Sequence, residues 1–460
     1  MKQLLALFIC LFLVNGVAAQ NPTTYFMEGS TLRSQLNPAF APLRGYVNIP
    51  GLGGVNINTS GNLALSNILF PVNGKLVTLL DSSVSAAMAL DGLNTNNLLG
   101  MDTRINLIGF GAFTRNHMNF WSFDITARVN MDAHLPYSLF EFLKSGQEGD
   151  ISDISLCADA FLEAGFNYSF PVAKDKLYIG IRGKVLFGAA RGRMSFNKFA
   201  VTLNEDRWFV DAVGELDLSS SGLDIATSTD EHGHEIYKPK DISLRPKAPA
   251  GYGVAVDVGL VYDIRPNLQA SLAINDIGFI CWGKGDNQRG VVNKTLLFEG
   301  VEINGVDGSV QPNFDLGEID FEKSEPTRVT KMLRASINAG LEYEVWRHKI
   351  GFGLLYSARI WEYKTLHNLT GSINFHPVRW FTVSGSYSIF DNKSHAVGLA
   401  LNLNPNWINF YIATDILTSR HTPQFLPIRQ SMMNITLGVG IPIGKRSYRI
   451  LSYINSWDKR

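Results

Sequence analysis

The feature that most limits what this chain can fold into is a long segment with one apolar and one polar face. Across Met332 to Trp346, Leu333, Ala335, Ile337, Ala339, Leu341, Tyr343 and Val345 alternate with Arg334, Ser336, Asn338, Gly340, Glu342 and Glu344. Period 2 marks extended chain whose two faces meet different surroundings. Strands of soluble sheets run about 5–6 residues, whereas a tilted strand that crosses a bilayer needs about 9–11. This segment has the second length. Its apolar face then meets lipid and its charges turn inward.

The pattern recurs. Trp121, Phe123, Ile125, Ala127 and Val129 oppose Asp124, Thr126, Arg128 and Asn130. Ile179, Ile181 and Val185 oppose Arg182 and Lys184, and Val383 and Tyr387 oppose Ser384 and Ser386. A one-residue slip turns charge into lipid, so each register is tightly specified. Candidate strands fall at 80–91, 103–113, 119–131, 158–170, 176–190, 251–264, 267–275, 333–346, 349–361, 367–376, 380–390, 395–403, 407–416 and 432–441, fourteen in all. The first is the weakest, with 55–66 as its rival. Short links alternate with links that include 132–157, 191–250, 276–332 and 417–431. The long ones therefore all lie at one end, as in barrels with short periplasmic turns and long external loops. The fold class is all-β, a transmembrane antiparallel barrel.

Composition agrees. Charged residues make up 18% of the chain, below the ~25% usual for soluble domains. Glycine and aromatics are abundant, as lipid-facing strands with aromatic girdles require. Acids and bases balance at 41 each, which excludes the basic surface a nucleic-acid partner needs. Lys2, the apolar run Leu4 to Val14 and Val17-Ala18-Ala19 read as a secretory signal over 1–19. Cys10 lies inside its apolar core and does not read as a lipid anchor. The remaining Cys157 and Cys281 are expected as unpaired thiols, although an oxidising envelope permits a disulfide.

The chain therefore divides into the signal 1–19, a Pro/Gly/Asn-rich segment 20–75 placed in the lumen, the barrel 76–445 and a tail 446–460. Within the links, Pro136 to Lys144 reads as a short amphipathic helix and 193–218 as a hairpin extension.

Three stretches carry a family resemblance: Arg33-Ser34-Gln35-Leu36-Asn37-Pro38-Ala39-Phe40, Leu135-Pro136-Tyr137-Ser138-Leu139 and Asn275-Asp276-Ile277-Gly278-Phe279-Ile280-Cys281-Trp282. They resemble the DUF5723 outer-membrane proteins, a family that looks related to the long-chain fatty-acid transporter barrels and the type IX secretion shuttle barrels. The resemblance implies a fourteen-strand barrel with an N-terminal segment folded into its lumen. It implies no activity. The chain departs from the common barrel pattern by ending in Trp457-Asp458-Lys459-Arg460 instead of a terminal aromatic.

No catalytic constellation emerges. There is no Gly-x-Ser-x-Gly elbow, phosphate loop or Cys-x-x-Cys, so no enzyme and no cofactor are expected. Asp230-Glu231-His232-Gly233-His234-Glu235 has donors suited to a transition metal, and Asp307, Asp315, Glu318, Asp320, Glu322 and Glu325 have the oxygens Ca²⁺ prefers. The acidic run lacks the spacing of a Ca²⁺ loop, and both stretches read first as solvated external loops. The site candidates are the strand charges Asp124, Arg128, Arg182, Lys184, Arg334, Glu342 and Glu344. Two readings stand side by side: a polar lumen that contacts solute, and ion pairs that fill the barrel. Trp121, Trp346, Trp361, Trp380 and Trp407 fit interfacial girdles.

The expectation is a monomeric barrel in the outer membrane of a Gram-negative bacterium, in contact with outer-membrane lipid, that passes a small hydrophobic solute. The alternatives are a barrel that docks a secreted or surface protein and, last, a lipid-modifying enzyme.

Overall fold

The computed structural model describes residues 22–445 except 64–66, 74, 146–147, 174–175, 205–206, 230–232, 245–246, 284, 286, 300–301, 304–309, 312–318, 361–364, 379, 391–394 and 418–432. The signal, the tail, most of the link 417–431, Trp361 and, of the candidate metal residues, Asp230, Glu231, His232, Asp307, Asp315 and Glu318 lie outside the described residues.

Fourteen antiparallel strands close into a barrel. In chain order they are β1 (Gly45–Asn48 continued by Val55–Gly61), β2 (Asn96–Phe113), β3 (Phe120–Pro136), β4 (Ile154–Ala173), β5 (Leu177–Asn204), β6 (Gly251–Arg265), β7 (Leu268–Trp282), β8 (Val329–Met332 continued by Ser336–Val345), β9 (Ile350–Ile360), β10 (Thr365–Val378), β11 (Phe381–Phe390), β12 (His395–Leu403), β13 (Asn409–Leu417) and β14 (Met433–Ile443). Each pairs with the next. β1 also pairs with β14, Val55 opposite Leu437 and Gly45 opposite Ile443, which closes the ring. Closure leaves no unpaired edge, the condition for sheet to survive in lipid. Among the described residues four short helices accompany the wall: α1 (Pro22–Tyr25), α2 (Arg33–Leu36), α3 (Ala86–Leu90) and α4 (Tyr137–Ser145).

Faces follow the alternation. On β5, Ile181 and Val185 are 47% and 48% exposed, while Arg182 and Lys184 between them are 2% and 5% exposed. On β11, Val383 faces out and Ser384 is buried inside. Trp346, Trp380 and Trp407 stand exposed at the short-turn rim.

The structure corrects four expectations. The strand at 80–91 is absent. Its Ala86-Ala87-Met88-Ala89-Leu90 run suits helix and forms α3, N-capped by the Ser85 hydroxyl, which accepts from Met88 N. The first wall strand is 45–61, so the part of 20–75 inside the barrel stops before Gly45. Ile49-Pro50-Gly51-Leu52-Gly53-Gly54 interrupts that strand, with Gly51 at φ +74°. The interruption hides the alternation of Val47, Asn48, Val55, Asn56, Ile57 and Asn58.

The long links 132–157, 191–250 and 276–332 are also narrower than expected, because wall strands run on into them. β5 continues unbroken to Asn204 and turns back as Arg207–Ser220. That strand pairs with Asn287–Glu299, which pairs in turn with Phe321–Ser324. Phe142, Ile151, Phe196, Phe199, Val210 and Phe321 form an apolar core beneath this external sheet. α4 supplies Phe142 to it and Phe140 to a neighbouring cluster with Leu63, Phe70 and Ala89. Lys144 Nζ clasps the two parts by donating to the carbonyls of Leu79 and Asp81 at 3.1 and 2.9 Å. Partial burial there lowers the Lys144 pKa below its usual value.

The fourth correction concerns phase. The alternation read across Met332 to Trp346 breaks at 333–335. Leu333 turns inward onto Trp282 and Ile280 instead of facing lipid, while Met332 is exposed. The facing strand breaks at the same level. Asp276 has φ +61°, and the β6–β7 register shifts between Val256 and Val258. Such a bulge re-aims side chains. Ser271, Ala273 and Asn275 point inward below it, and Asp276, Ile280 and Trp282 above it.

Candidate functional site

Residues 22–44 lie inside the short-turn half of the barrel and seat on small residues. The Arg33–Phe40 stretch is one self-contained unit. Arg33 Nε donates to the Tyr25 carbonyl at 2.9 Å, and its guanidinium stacks 4.0 Å over the Phe40 ring. Asn37 makes an Asx turn by accepting from Ala39 N at 2.9 Å. Its amide donates to the carbonyls of Leu260 and Leu272 at 3.2 and 3.4 Å. Asn275 Nδ2 donates to the Leu36 carbonyl at 2.9 Å, and Ser169 Oγ to that of Ala39 at 3.0 Å. The backbone of the segment is thus satisfied by polar wall side chains, as a buried chain requires.

The seat is a cross-strand row: Ser169, Gly180 and Gly259 lie side by side on β4, β5 and β6. A Cβ on Gly180 would collide with the Pro38 carbonyl group, and one on Gly259 with the Asn37 side chain. Elsewhere a Cβ on Gly340 would come within 2.7 Å of Tyr25, and one on Gly353 within 2.5 Å of Phe26. Thr23 hydrogen-bonds Ser386 and Asp415.

Between this segment and the long-loop half lies a cavity. Its wall side is polar, with Asn56, Asn58, Asn106, Asn338, Arg104 and Arg359. Its floor is more apolar, with Tyr25, Leu32 and Leu36 from the segment and Leu355 from β9.

Beside the cavity runs a buried ion network. Arg128 Nη1 donates to Glu163 Oε2 and Asp276 Oδ1, both at 2.9 Å, and Nη2 donates to Asp276 Oδ2 at 3.1 Å. Arg182 Nη2 reaches Asp124 at 2.6 Å and Glu163 at 2.8 Å. Lys184 Nζ reaches Asp276 at 2.6 Å and Asp257 at 2.7 Å. Arg104 joins Asp276 at 3.1 Å. The carboxylates Asp124, Glu163, Asp257 and Asp276 thus match the cations Arg104, Arg128, Arg182 and Lys184, and the network is neutral. Asp102 with Arg359, and Asp132 with Arg334, are further pairs.

Four of the seven charges singled out in the sequence, Asp124, Arg128, Arg182 and Lys184, therefore meet in one network. Arg334 pairs separately. Glu342 and Glu344 lie near the short-turn end, Glu342 at 3.9 Å from Arg33 and Glu344 bonded to His348. Glu163, Asp257, Asp276, Arg104, Asp102 and Arg359 complete the set. Glu163 was legible as a polar position on an alternating strand. Asp276 was not, because its inward aim depends on the bulge.

Among the described residues Cys157 and Cys281 are free thiols, and no group of His, Cys, Asp and Glu is arranged to hold a metal. The profile of a family of unknown function, DUF5723, matches residues 38–415. The chain belongs to the DUF5723 family. No curated protein matches it. Solved structures similar to this DUF5723 barrel include the Ralstonia pickettii toluene transporter TbuX, with 10% identity, 94% and 96% coverage of the two chains and a TM-score of 0.41. The P. putida toluene transporter TodX has 10% identity, 93% coverage of each chain and a TM-score of 0.36. A Pseudomonas aeruginosa FadL homologue has 9% identity, 93% and 98% coverage and a TM-score of 0.39. The DUF5723 architecture itself rests on the hydrogen-bonded ring described above.

Proposed function

We propose that this barrel sits in the outer membrane and passes a small, mainly apolar solute, with residues 22–44 as the gate. The observation that carries the reading is the seating of that segment. It closes the cavity from the short-turn side through side-chain contacts and glycine steps, without continuing the wall, so it can leave while the ring stays paired. The apolar floor of Tyr25, Leu32, Leu36 and Leu355 supports an apolar solute body. The neutral ion network supports a rigid wall more than a charged binding face. Deleting residues 22–40 with Gly45 and the wall intact should leave a heat-modifiable barrel and raise solute flux in liposome-swelling assays. A folded deletion with unchanged flux argues against transport.

The external sheet built on β5 and its partners supports a second reading, a barrel that docks a secreted or surface protein. Shortening the 193–218 hairpin would then abolish partner capture and leave flux unchanged.

A further inference from the structure

The short-turn rim carries positive charge that neither the gate nor the ion network uses. Arg115 sits in the β2–β3 turn, Lys176 in the β4–β5 turn, Arg265 at the β6–β7 turn, and Arg347 and Lys349 in the β8–β9 turn. Lys445 follows β14, and all of these but Lys349 are exposed. By sequence the β10–β11 link adds Arg379. The β12–β13 turn has no cation of its own. Arg44, just before β1, serves it instead, with Nη2 donating to Asn406 Oδ1 at 2.8 Å. Every short turn of the ring is thus supplied. Acids do not answer these cations: among the described residues none of them forms an ion pair with a carboxylate. Asp263 accepts from Gln269 Nε2 at 2.7 Å, and Glu344 turns inward to His348. Asp175 is the one acid that the sequence places within the short links. The lumen is the reverse, since Arg128, Arg182 and Lys184 each meet carboxylates there. The whole chain balances 41 acids against 41 bases, so the belt is a segregation of charge. The link 132–157 at the other end shows the opposite sign, with Asp132, Glu141, Glu148, Asp150 and Asp153 against Lys144.

Three indoles fix the depth of the belt. Trp346, Trp380 and Trp407 are 65%, 49% and 72% exposed at the same rim, and Lys349 Nζ lies 5.6 Å from the centroid of the Trp346 ring. Exposed Trp settles where lipid headgroups meet acyl chains. Turn cations beside or just beyond those rings lie at the level of the lipid phosphates, which their long stems can reach. We propose that the short-turn rim binds anionic phospholipid headgroups of the phosphatidylglycerol type, as a shell around the barrel. The encircling layout selects this partner, because a docked protein covers one arc whereas a headgroup layer surrounds every turn. Anionic lipid attracts surface Lys and Arg by about fivefold in association per cation. The proposal rests on the outer-membrane reading, which turns this rim toward the periplasmic leaflet, and it is independent of whether the barrel passes a solute.

The test reconstitutes the full-length protein in phosphatidylcholine vesicles with a trace of phosphatidylglycerol or phosphatidylcholine spin-labelled high on one acyl chain. Electron paramagnetic resonance then measures the fraction of label immobilised at the barrel surface. Phosphatidylglycerol should associate about two- to fivefold more strongly than phosphatidylcholine at low salt. The preference should fall toward parity at about 1 M NaCl, where the screening length is about 3 Å. Changing Arg115, Lys176, Arg265, Arg347, Lys349 and Lys445 together to Gln should remove most of it while heat-modifiable migration persists. The pairs Arg115→Gln with Lys176→Gln, and Arg347→Gln with Lys349→Gln, should each remove a share, and they carry the test if the sixfold variant does not fold. Equal association of the two lipids with an inserted barrel overturns the proposal. So does a preference that survives high salt, or one that every folded variant retains; the rim would then be free for an acidic protein partner. A chain that does not enter the vesicles at all sinks the outer-membrane reading and this proposal with it, so the two failures are told apart.

Discussion

Gly180→Ala is the most direct test of the gate. A methyl at Gly180 meets the carbonyl group of Pro38, which is backbone and cannot rotate away as a side chain can. The Asn37–Ala39 turn must therefore lift as a unit. Lifting it strains the bonds from Asn37 to Leu260, from Ser169 to Ala39 and from Asn167 to Pro38, the last at 3.3 Å. Overpacking of this kind costs about 1–3 kcal/mol, and 1.4 kcal/mol is tenfold in a population ratio. The unseated fraction should rise roughly 5- to 150-fold. Gly259→Ala pushes on the same turn from the adjacent strand. Once the turn has moved for one methyl the second finds less to displace, so the double variant should fall well short of the sum. Arg33 is buried in the seated segment, so trypsin cleavage after Arg33 reports unseating directly, alongside liposome swelling. The hydrogen-bonded pairing of the wall strands is unchanged, and heat-modifiable migration should persist. If Gly180→Ala leaves both cleavage and flux at wild-type values in a folded barrel, the turn is not rigidly seated and the gate argument fails.

Other consequences can be checked on the same preparations. Arg128→Met removes the main cation of Asp276 and one of the three on Glu163, and should destabilise the barrel by about 3–5 kcal/mol in denaturant titrations; a change under 1 kcal/mol would mean that the network is solvated. Ile181→Arg should cost about 2–4 kcal/mol by placing charge in lipid. Arg182→Met should cost at least as much by stranding Asp124 and Glu163, and Asp124→Asn should relieve part of that loss; no relief would contradict the pairing. In the turn after β8, the hydrogen bond to Glu344 raises the His348 pKa above its usual value of about 6.5. Its stabilising contribution is full below that usual value and is lost as pH rises through the raised one. His348→Gln should remove that portion of the pH dependence of melting, and an unchanged profile would rule the contact out. Trp346, Arg347 and His348 have φ of 48°, 57° and 62°, so Arg347→Gly should stabilise the barrel by about 1 kcal/mol, measurable as a higher melting temperature.

The barrel and most of its faces were legible in the sequence for a local reason. Each spanning strand must separate lipid from lumen by itself, so Ile181 and Arg182, or Val383 and Ser384, declare their sides without reference to any other strand. The parity of short and long links added closure and strand number. Three things depended on tertiary structure. The first strand was half legible: its rival placement 55–66 overlaps Val55–Gly61, but Ile49 to Gly54 breaks the period before it, and only bonding to both β2 and β14 identifies 45–61 as wall. The phase reversals at Asp276 and Leu333 were hidden because a left-handed residue changes direction without changing composition. The partners of the buried charges were hidden because Arg128 and Asp276 lie 148 residues apart and meet only where β3 and β7 face a shared lumen. Side-chain alternation is written strand by strand. Which charge answers which, and whether a segment rests on two glycines, follows only from how the ring closes.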